Sequence, residues 1–370
     1  MSRLNRHIQP LDYCTYCPKL CTFACPVSNA ENKETVTPWA KMTLANLIRK
    51  GHLELTAENA EPLYHCLACR LCTTYCKHEN DVAEVLSDAR AMLAEKGIVH
   101  PKLAELRETM SRHGNPYGKN GEETLKALLS PDKFNEDAQA VFFPGSAAVF
   151  KRPQEITAAF SIFDKLDIDF IACDPGIQTS AGLPLYRAGF MAEFEAHMLK
   201  VASRLIQYKL IVTPCAETAY TLKALYLELG INLSGRVKHM LEFIEPYTKG
   251  AGFNRQLNDA AVYHDPGYFS RFLSVEKLPR EIFKKIYRDK CIEMVWNKKA
   301  AYPAGQTGVY NYIYPEYALT IAKERLRQAR EVRADVLVTS SSATAAFLDA
   351  ARADGDCEVR TLTEDIDSCL

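Results

Sequence analysis

Eight of the thirteen cysteines in this 370-residue chain fall in two short runs near its N-terminus. Cys14, Cys17, Cys21 and Cys25 lie in CTYCPKLCTFACP, and Cys66, Cys69, Cys72 and Cys76 in CLACRLCTTYC. Nothing else in the chain constrains the fold so tightly, because thiols at these intervals force each segment into a loop closed around a common centre. Four thiolates are what one [4Fe–4S] cubane requires, so the count suits two such clusters.

A tight loop wraps only three corners of a cube, and in two-cluster ferredoxins the fourth cysteine of a run reaches across to the other cluster. By that rule Cys14, Cys17 and Cys21 share one cluster with Cys76, and Cys66, Cys69 and Cys72 share the second with Cys25. The second run keeps the regular C-x2-C-x2-C-x3-C spacing, whereas the first has one extra residue between Cys17 and Cys21. The first ends in Cys25-Pro26, as the bacterial pattern does, and the second in Cys76-Lys77. Paired C-x2-C elements also serve tetrahedral zinc, so a zinc-stapled module without redox function is the competing reading.

The chain is 47% hydrophobic, enough for a large core, and its length suits two to three domains. Its 45 basic and 46 acidic residues leave a net charge of −1, so there is no electrostatic footprint for nucleic acid. No apolar run reaches the ~20 residues of a membrane helix, and the start lacks the apolar stretch of a signal peptide. The expectation is a cytoplasmic protein, peripheral at the inner membrane face only through a partner.

Helical periodicity appears in WAKMTLANLIRKG from Trp39, in VAEVLSDARAMLAEKG and in HPKLAELRETMSRHG, each stopping at a glycine: Gly51, Gly97 and Gly114. Residues 1–115 therefore read as a helical two-cluster domain, and 116–137 as a linker. Beyond Ala138, short β-branched or aromatic runs alternate with helices, the mark of α/β layers. An internal repeat aligns LIVTPCAETAYTLKA (210–224) with VLVTSSSATAAFLDA (336–350) without a gap. Each repeat opens on a strand and a Pro-Gly turn, VFFPG and VYHDPG, which divides the rest into 138–250 and 251–370. The fold class is then α+β overall: a ferredoxin-like helical domain followed by two repeated α/β domains packed about a pseudo-twofold.

This order of parts, with the phrases HDPG and FLSVEKLPREIFKKI, resembles the cysteine-rich-domain iron–sulfur oxidoreductases. That family includes the catalytic subunit of membrane heterodisulfide reductase and the iron–sulfur subunit of anaerobic glycerol-3-phosphate dehydrogenase. The resemblance implies in each repeat a turn cysteine, a Cys-Cys-Gly and a C-x2-C able to hold a noncubane cluster. In the first repeat those positions read Ser146, Cys173-Asp174-Pro175-Gly176 and Cys215-Ala216-Glu217-Thr218. In the second they read Gly267, Tyr302-Pro303-Ala304-Gly305, and Ser341 with Thr344. Only Cys173 and Cys215 survive of about ten positions, too few thiolates for a noncubane cluster.

The expected function is therefore an iron–sulfur electron-transfer subunit, relaying single electrons through two cubanes. It would run between a flavin-bearing dehydrogenase and another redox or quinone-linked membrane subunit, any flavin sitting on the partner. The rival is a catalytic subunit whose inter-repeat cleft binds a disulfide, an organic acid or a flavin through Cys173, Cys215 and His264. His264-Asp265 reads first as turn chemistry and second as an acid–base pair. Tyr302, Gln306, Tyr310, Asn311, Tyr312 and Tyr314 are candidates to line a pocket. His65, His78 and Arg70 flank or enter the second cysteine run and would raise the potential of its cluster, unless the histidines are simply solvated.

Overall fold

The computed structural model describes residues 3–135 and 137–370. The front third is helical, and its helices begin where side chains can satisfy the free N–H groups of a first turn. Helix Pro38–Arg49 has proline in its first turn, and Thr37 Oγ1 accepts from the Ala40 N–H at 3.3 Å. Helix Val82–Glu95 is capped by Asp81, and helix Pro101–His113 closes on Gly114 in the left-handed conformation. These are the three helices expected from periodicity. Val82–Glu95 buries eleven of its residues, including Arg90 and Asp88, because it is enclosed on several sides.

Among the described residues eight strands form two sheets, parallel throughout. One contains β1 (Ala140–Phe142), β2 (Ile171–Cys173), β3 (Leu210–Thr213) and β4 (Val237–His239) in the order β2-β1-β3-β4. The other contains β5 (Ala261–His264), β6 (Cys291–Ile292), β7 (Val336–Thr339) and β8 (Glu358–Thr361) in the order β6-β5-β7-β8. Helices cover both faces of these sheets, which is why the central strands read as unbroken apolar runs. The aligned sequence repeats fall on the third strand of each sheet, β3 and β7, and on the helices after them. In this strand order the chain leaves β1 for one side and returns to β3 on the other, and likewise at β5 and β7. Crevices at such switch points, beyond the carboxyl ends of the strands, are where open α/β sheets bind ligands.

The segment expected as a linker is largely structured. Helix Gly121–Leu128 starts at Asn120, whose Oδ1 accepts from the N–H groups of Glu122 and Glu123, and it buries Leu125 against the α/β half. A single apolar core runs from Leu11 and Met42 in the front domain through Phe142, Phe163 and Tyr226 to Ile366. A second cluster joins Cys25, Leu67 and Leu71 of the front domain to Tyr302, Tyr310 and Ile321 of the rear half. The helical domain is thus packed into the α/β part. No helix among the described residues is long and apolar enough to cross a membrane.

Candidate functional site

Cys14 lies near the end of helix Ile8–Thr15, and the loop behind it turns through Lys19 at φ 65° into a short 3-10 turn, Thr22–Ala24. Cys25 is buried and stands at the start of helix Pro26–Glu31, where Pro26 commits the chain to a new direction. The second run folds as a loop through Ala68 and Arg70, both left-handed, into the single turn Leu71–Thr74.

The thiols gather across the two runs. Cys14 interacts electrostatically with Cys17 and Cys76, and Cys21 with Cys14, Cys76 and Cys25. Cys69 interacts with Cys66 and Cys25, and Cys72 with Cys66, Cys69, Cys25 and Cys21. Cys25, Cys66, Cys69 and Cys72 line one hollow, walled by Pro26, Val27, Leu67 and Val82. No three or more His, Cys, Asp or Glu side chains converge on a single-ion site among the described residues. A cubane does not ask for one, since its four thiolates bind four separate irons.

Burial, with the neighbouring thiols, pushes Cys14 up to about 11, Cys21 to about 12 and Cys69 to about 11. Buried thiols packed this closely resist ionising unless positive charge sits among them, which an iron–sulfur core supplies on binding. Backbone and side-chain N–H groups already point at sulfur: Ala68 N donates to Cys66 Sγ at 3.3 Å, and Asn80 Nδ2 to Cys14 Sγ at 3.2 Å. The donor set fits cubane ligation.

Of the cations around the second run, sequence spacing named Arg70 and missed Arg271, Lys41 and Arg90. Arg271, half-buried as a residue with its Nη2 shut away from solvent, donates through Nε to the Cys69 carbonyl at 2.6 Å and through Nη1 to the Lys299 and Ala301 carbonyls. Lys41 bonds the His65 carbonyl and lines the hollow, and buried Arg90 lies within electrostatic reach of Cys66. Arg70 lines the hollow too, paired with Asp81 and stacked 3.9 Å from the Phe272 ring. Arg271, Lys41 and Arg90 come from three separate stretches of chain outside the cysteine runs, so no local pattern announces them.

The histidines behave otherwise than expected. His65 is buried with both ring nitrogens taken, by Glu31 at 2.6 Å and Glu61 at 2.5 Å, and those carboxylates are also bonded by Tyr310 and Tyr314. His78 packs on the Tyr13 ring. The tyrosine-rich segment splits accordingly: Tyr302, Tyr310 and Tyr314 pack on the front domain, while Gln306, Asn311 and Tyr312 face a cleft of about 370 Å³ between the α/β halves.

That cleft opens at the strand switch points. Its lining includes Ser146 after β1, Cys215 after β3 and Tyr268 after β5. Glu217, in the position of the C-x2-C motif, binds both halves together: its Oε2 accepts from Cys215 Sγ at 3.3 Å and from Ser341 Oγ at 2.6 Å, and its Oε1 from Gln306 Nε2 at 3.1 Å. Cys215 therefore faces the cleft, with burial and Glu217 pushing its thiol well up. Cys173 does not line it; this residue ends β2 and is packed in the core. His264 is fully buried at the end of β5, where its Nδ1 accepts from Arg325 Nε at 2.8 Å, and burial then Arg325 hold it neutral. Asp265 pairs with Arg280 at 2.6 and 2.7 Å and not with His264, so the two do not form an acid–base pair.

Residues 10–80 match the 4Fe-4S dicluster domain family, and residues 261–348 the cysteine-rich domain family. The chain joins a 4Fe–4S dicluster domain to a cysteine-rich domain. Over 363 residues it is 26% identical to one of the subunits of dihydromethanophenazine:CoB–CoM heterodisulfide reductase from Methanosarcina acetivorans, covering 89% of this chain and 86% of that one. Its counterpart in Methanosarcina mazei is 24% identical over 368 residues, with the same coverage. One of the subunits of fumarate reductase (CoM/CoB) from Methanothermobacter marburgensis is 25% identical over 352 residues, 90% of this chain and 68% of that one. The dicluster match lies over both cysteine runs; the cysteine-rich match lies over the rear half, in which this sequence has none of the family's paired cysteines.

Proposed function

We propose that the chain is an electron-transfer subunit of a reductase complex, carrying single electrons through two [4Fe–4S] clusters. One cluster would be held by Cys14, Cys17, Cys21 and Cys76, the other by Cys66, Cys69, Cys72 and Cys25. The observation that carries this reading is the crossing of the runs: Cys25 stands among Cys66, Cys69 and Cys72, and Cys76 beside Cys14 and Cys21. When bound, each cluster supplies one-electron redox chemistry, and the protein's own residues ligate, space and tune it. The partner would be a flavin-containing dehydrogenase or a quinone-linked membrane subunit, with this chain at the inner membrane face. The two α/β halves, alike in strand order, would be pseudo-twofold repeats whose thiol chemistry has lapsed, without a noncubane cluster.

Single substitutions test the crossing. Cys25→Ser is expected to remove the spectroscopic signature of the second cluster and leave the first, and Cys76→Ser the reverse, read by iron content and electron paramagnetic resonance of anaerobic protein. Loss of the near cluster in each case refutes the ligand sets, and zinc without iron refutes the relay. The catalytic reading rests on Cys215 facing the cleft. If Cys215→Ala and Cys173→Ala leave electron transfer intact, that reading falls.

A further inference from the structure

The cleft between the α/β halves contains polar atoms that the protein leaves unanswered. Thr307, 9% exposed, has no partner for Oγ1, and neither Gln306 Oε1 nor Asn311 Oδ1 has one among the described residues. The orientation of Gln306 is fixed, because its Nε2 donates to Glu217 Oε1 at 3.1 Å and to Thr344 Oγ1 at 2.6 Å. Its carbonyl oxygen is therefore a buried acceptor awaiting an N–H or O–H, a costly state if nothing fills it. Glu217 is already met by three donors, and Lys151, at 5.5 Å from the Tyr117 ring, is the cation of the lining.

This pattern selects among ligands. A carboxylate and an oxidised quinone alike offer acceptors only, leaving Gln306 Oε1 unanswered. An imide edge, with a central N–H between two carbonyls, offers the donor that Gln306 Oε1 needs and an acceptor for the Thr307 hydroxyl. Ala343, Ala346 and Ala350 lie three or four residues apart on helix Ser342–Ala350, so they share one face and present a flat wall next to Phe347. A planar ring system suits that wall, and about 370 Å³ accommodates a tricyclic ring.

We propose that this cleft is a flavin-binding site, the imide edge of the isoalloxazine ring served by Gln306 and Thr307, and the phosphate of FMN by Lys151. The inference rests on the relay reading for its use and places a flavin on this chain itself. Its position is apt for electron exchange. Gly308, in the lining, packs so closely on the second cysteine loop that an added Cβ would come within 2.7 Å of the Cys66 carbonyl oxygen. A narrow hollow shared by Tyr268, Gln306 and Thr307 continues from the cleft to Cys69 and Arg271.

The test is titration of full-length, anaerobically purified protein with riboflavin and FMN by equilibrium dialysis, with iron content and cluster absorption scored separately. Both flavins are expected to bind. Thr307→Val and Gln306→Leu should each weaken both by about ten-fold with iron content unchanged, and Lys151→Met should weaken FMN but not riboflavin. Absence of binding by iron-loaded wild-type protein, or binding indifferent to Thr307→Val and Gln306→Leu, overturns the proposal. Flavin binding of this pattern in protein that takes up no iron would support the site while sinking the relay.

Discussion

Arg271 shows how a single residue outside any motif can govern a redox centre. Its guanidinium is buried against the Cys69 carbonyl, with Nη2 unpartnered, so its charge acts across poorly shielding protein on Cys69 and Cys72. A reduced cluster is the more negative state, and a nearby cation favours it. Removing one unit charge at such range is worth on the order of 1–4 kcal/mol. Arg271→Gln is accordingly expected to lower the midpoint potential of the second cluster by tens of millivolts or more while the first stays put, measured by redox titration with electron paramagnetic resonance. His239 acts on stability instead. Its Nε2–H is shared between the Pro214 carbonyl at 3.0 Å and the Ser340 carbonyl at 3.1 Å, one from each α/β half, while Nδ1 accepts from Leu241 N. That tautomer is neutral, and burial holds the pKa below the ordinary 6.5. The unfolded chain then binds the extra proton, so this contribution is full above about pH 6.5 and is lost as pH falls below it. His239→Leu should cost about 1–3 kcal/mol at neutral pH by stranding two carbonyls, and should flatten the acid side of the stability profile in denaturant melts.

At the scale of elements, the second cysteine loop is braced by the segment that follows the rear half's glycine turn. Gly308 sits at φ 72° against the backbone of Cys66 and Leu67, where any Cβ would meet backbone atoms at 2.7–2.9 Å. Gly308→Ala should therefore displace the loop and lower occupancy of the second cluster more than the first, with iron per chain and the cluster spectra as the measures. The same loop is bonded by Arg271, in the π-helical turn Tyr268–Phe272 that follows β5. A strand end that reads as turn chemistry in HDPG thus delivers a tuning residue to a centre some two hundred residues earlier in the chain. The periodic helices and the alternation of strand and helix were legible because a local pattern suffices for them. The helix Gly121–Leu128 was not: it is short, glycine-led and flanked by turn residues, and it is held by docking of Leu125.

For the molecule as a whole, one core links helical front and α/β rear, and Tyr310 and Tyr314 bond Glu31 and Glu61 across the seam. Iron removal by a chelator should consequently lower the thermal midpoint of the entire chain in one transition, followed by circular dichroism, and not melt the front domain alone. The cations collected around the second cluster, against Asn80 beside the first, make the second the expected resting place of an electron. Reductive titration should find the second cluster, left alone in Cys76→Ser, reduced at a higher potential than the first cluster, left alone in Cys25→Ser. The two cysteine runs, the dicluster domain they announce and the ungapped match of 210–224 with 336–350 could be read in the chain, because ligand number and spacing are local properties of a covalent string. Arg271, Lys41 and Arg90 beside the second cluster, and the Glu217 clasp between Cys215, Ser341 and Gln306, could not. They arise where helices and strand-end loops far apart in the chain converge, and burial, not sequence separation, fixes which charges meet there.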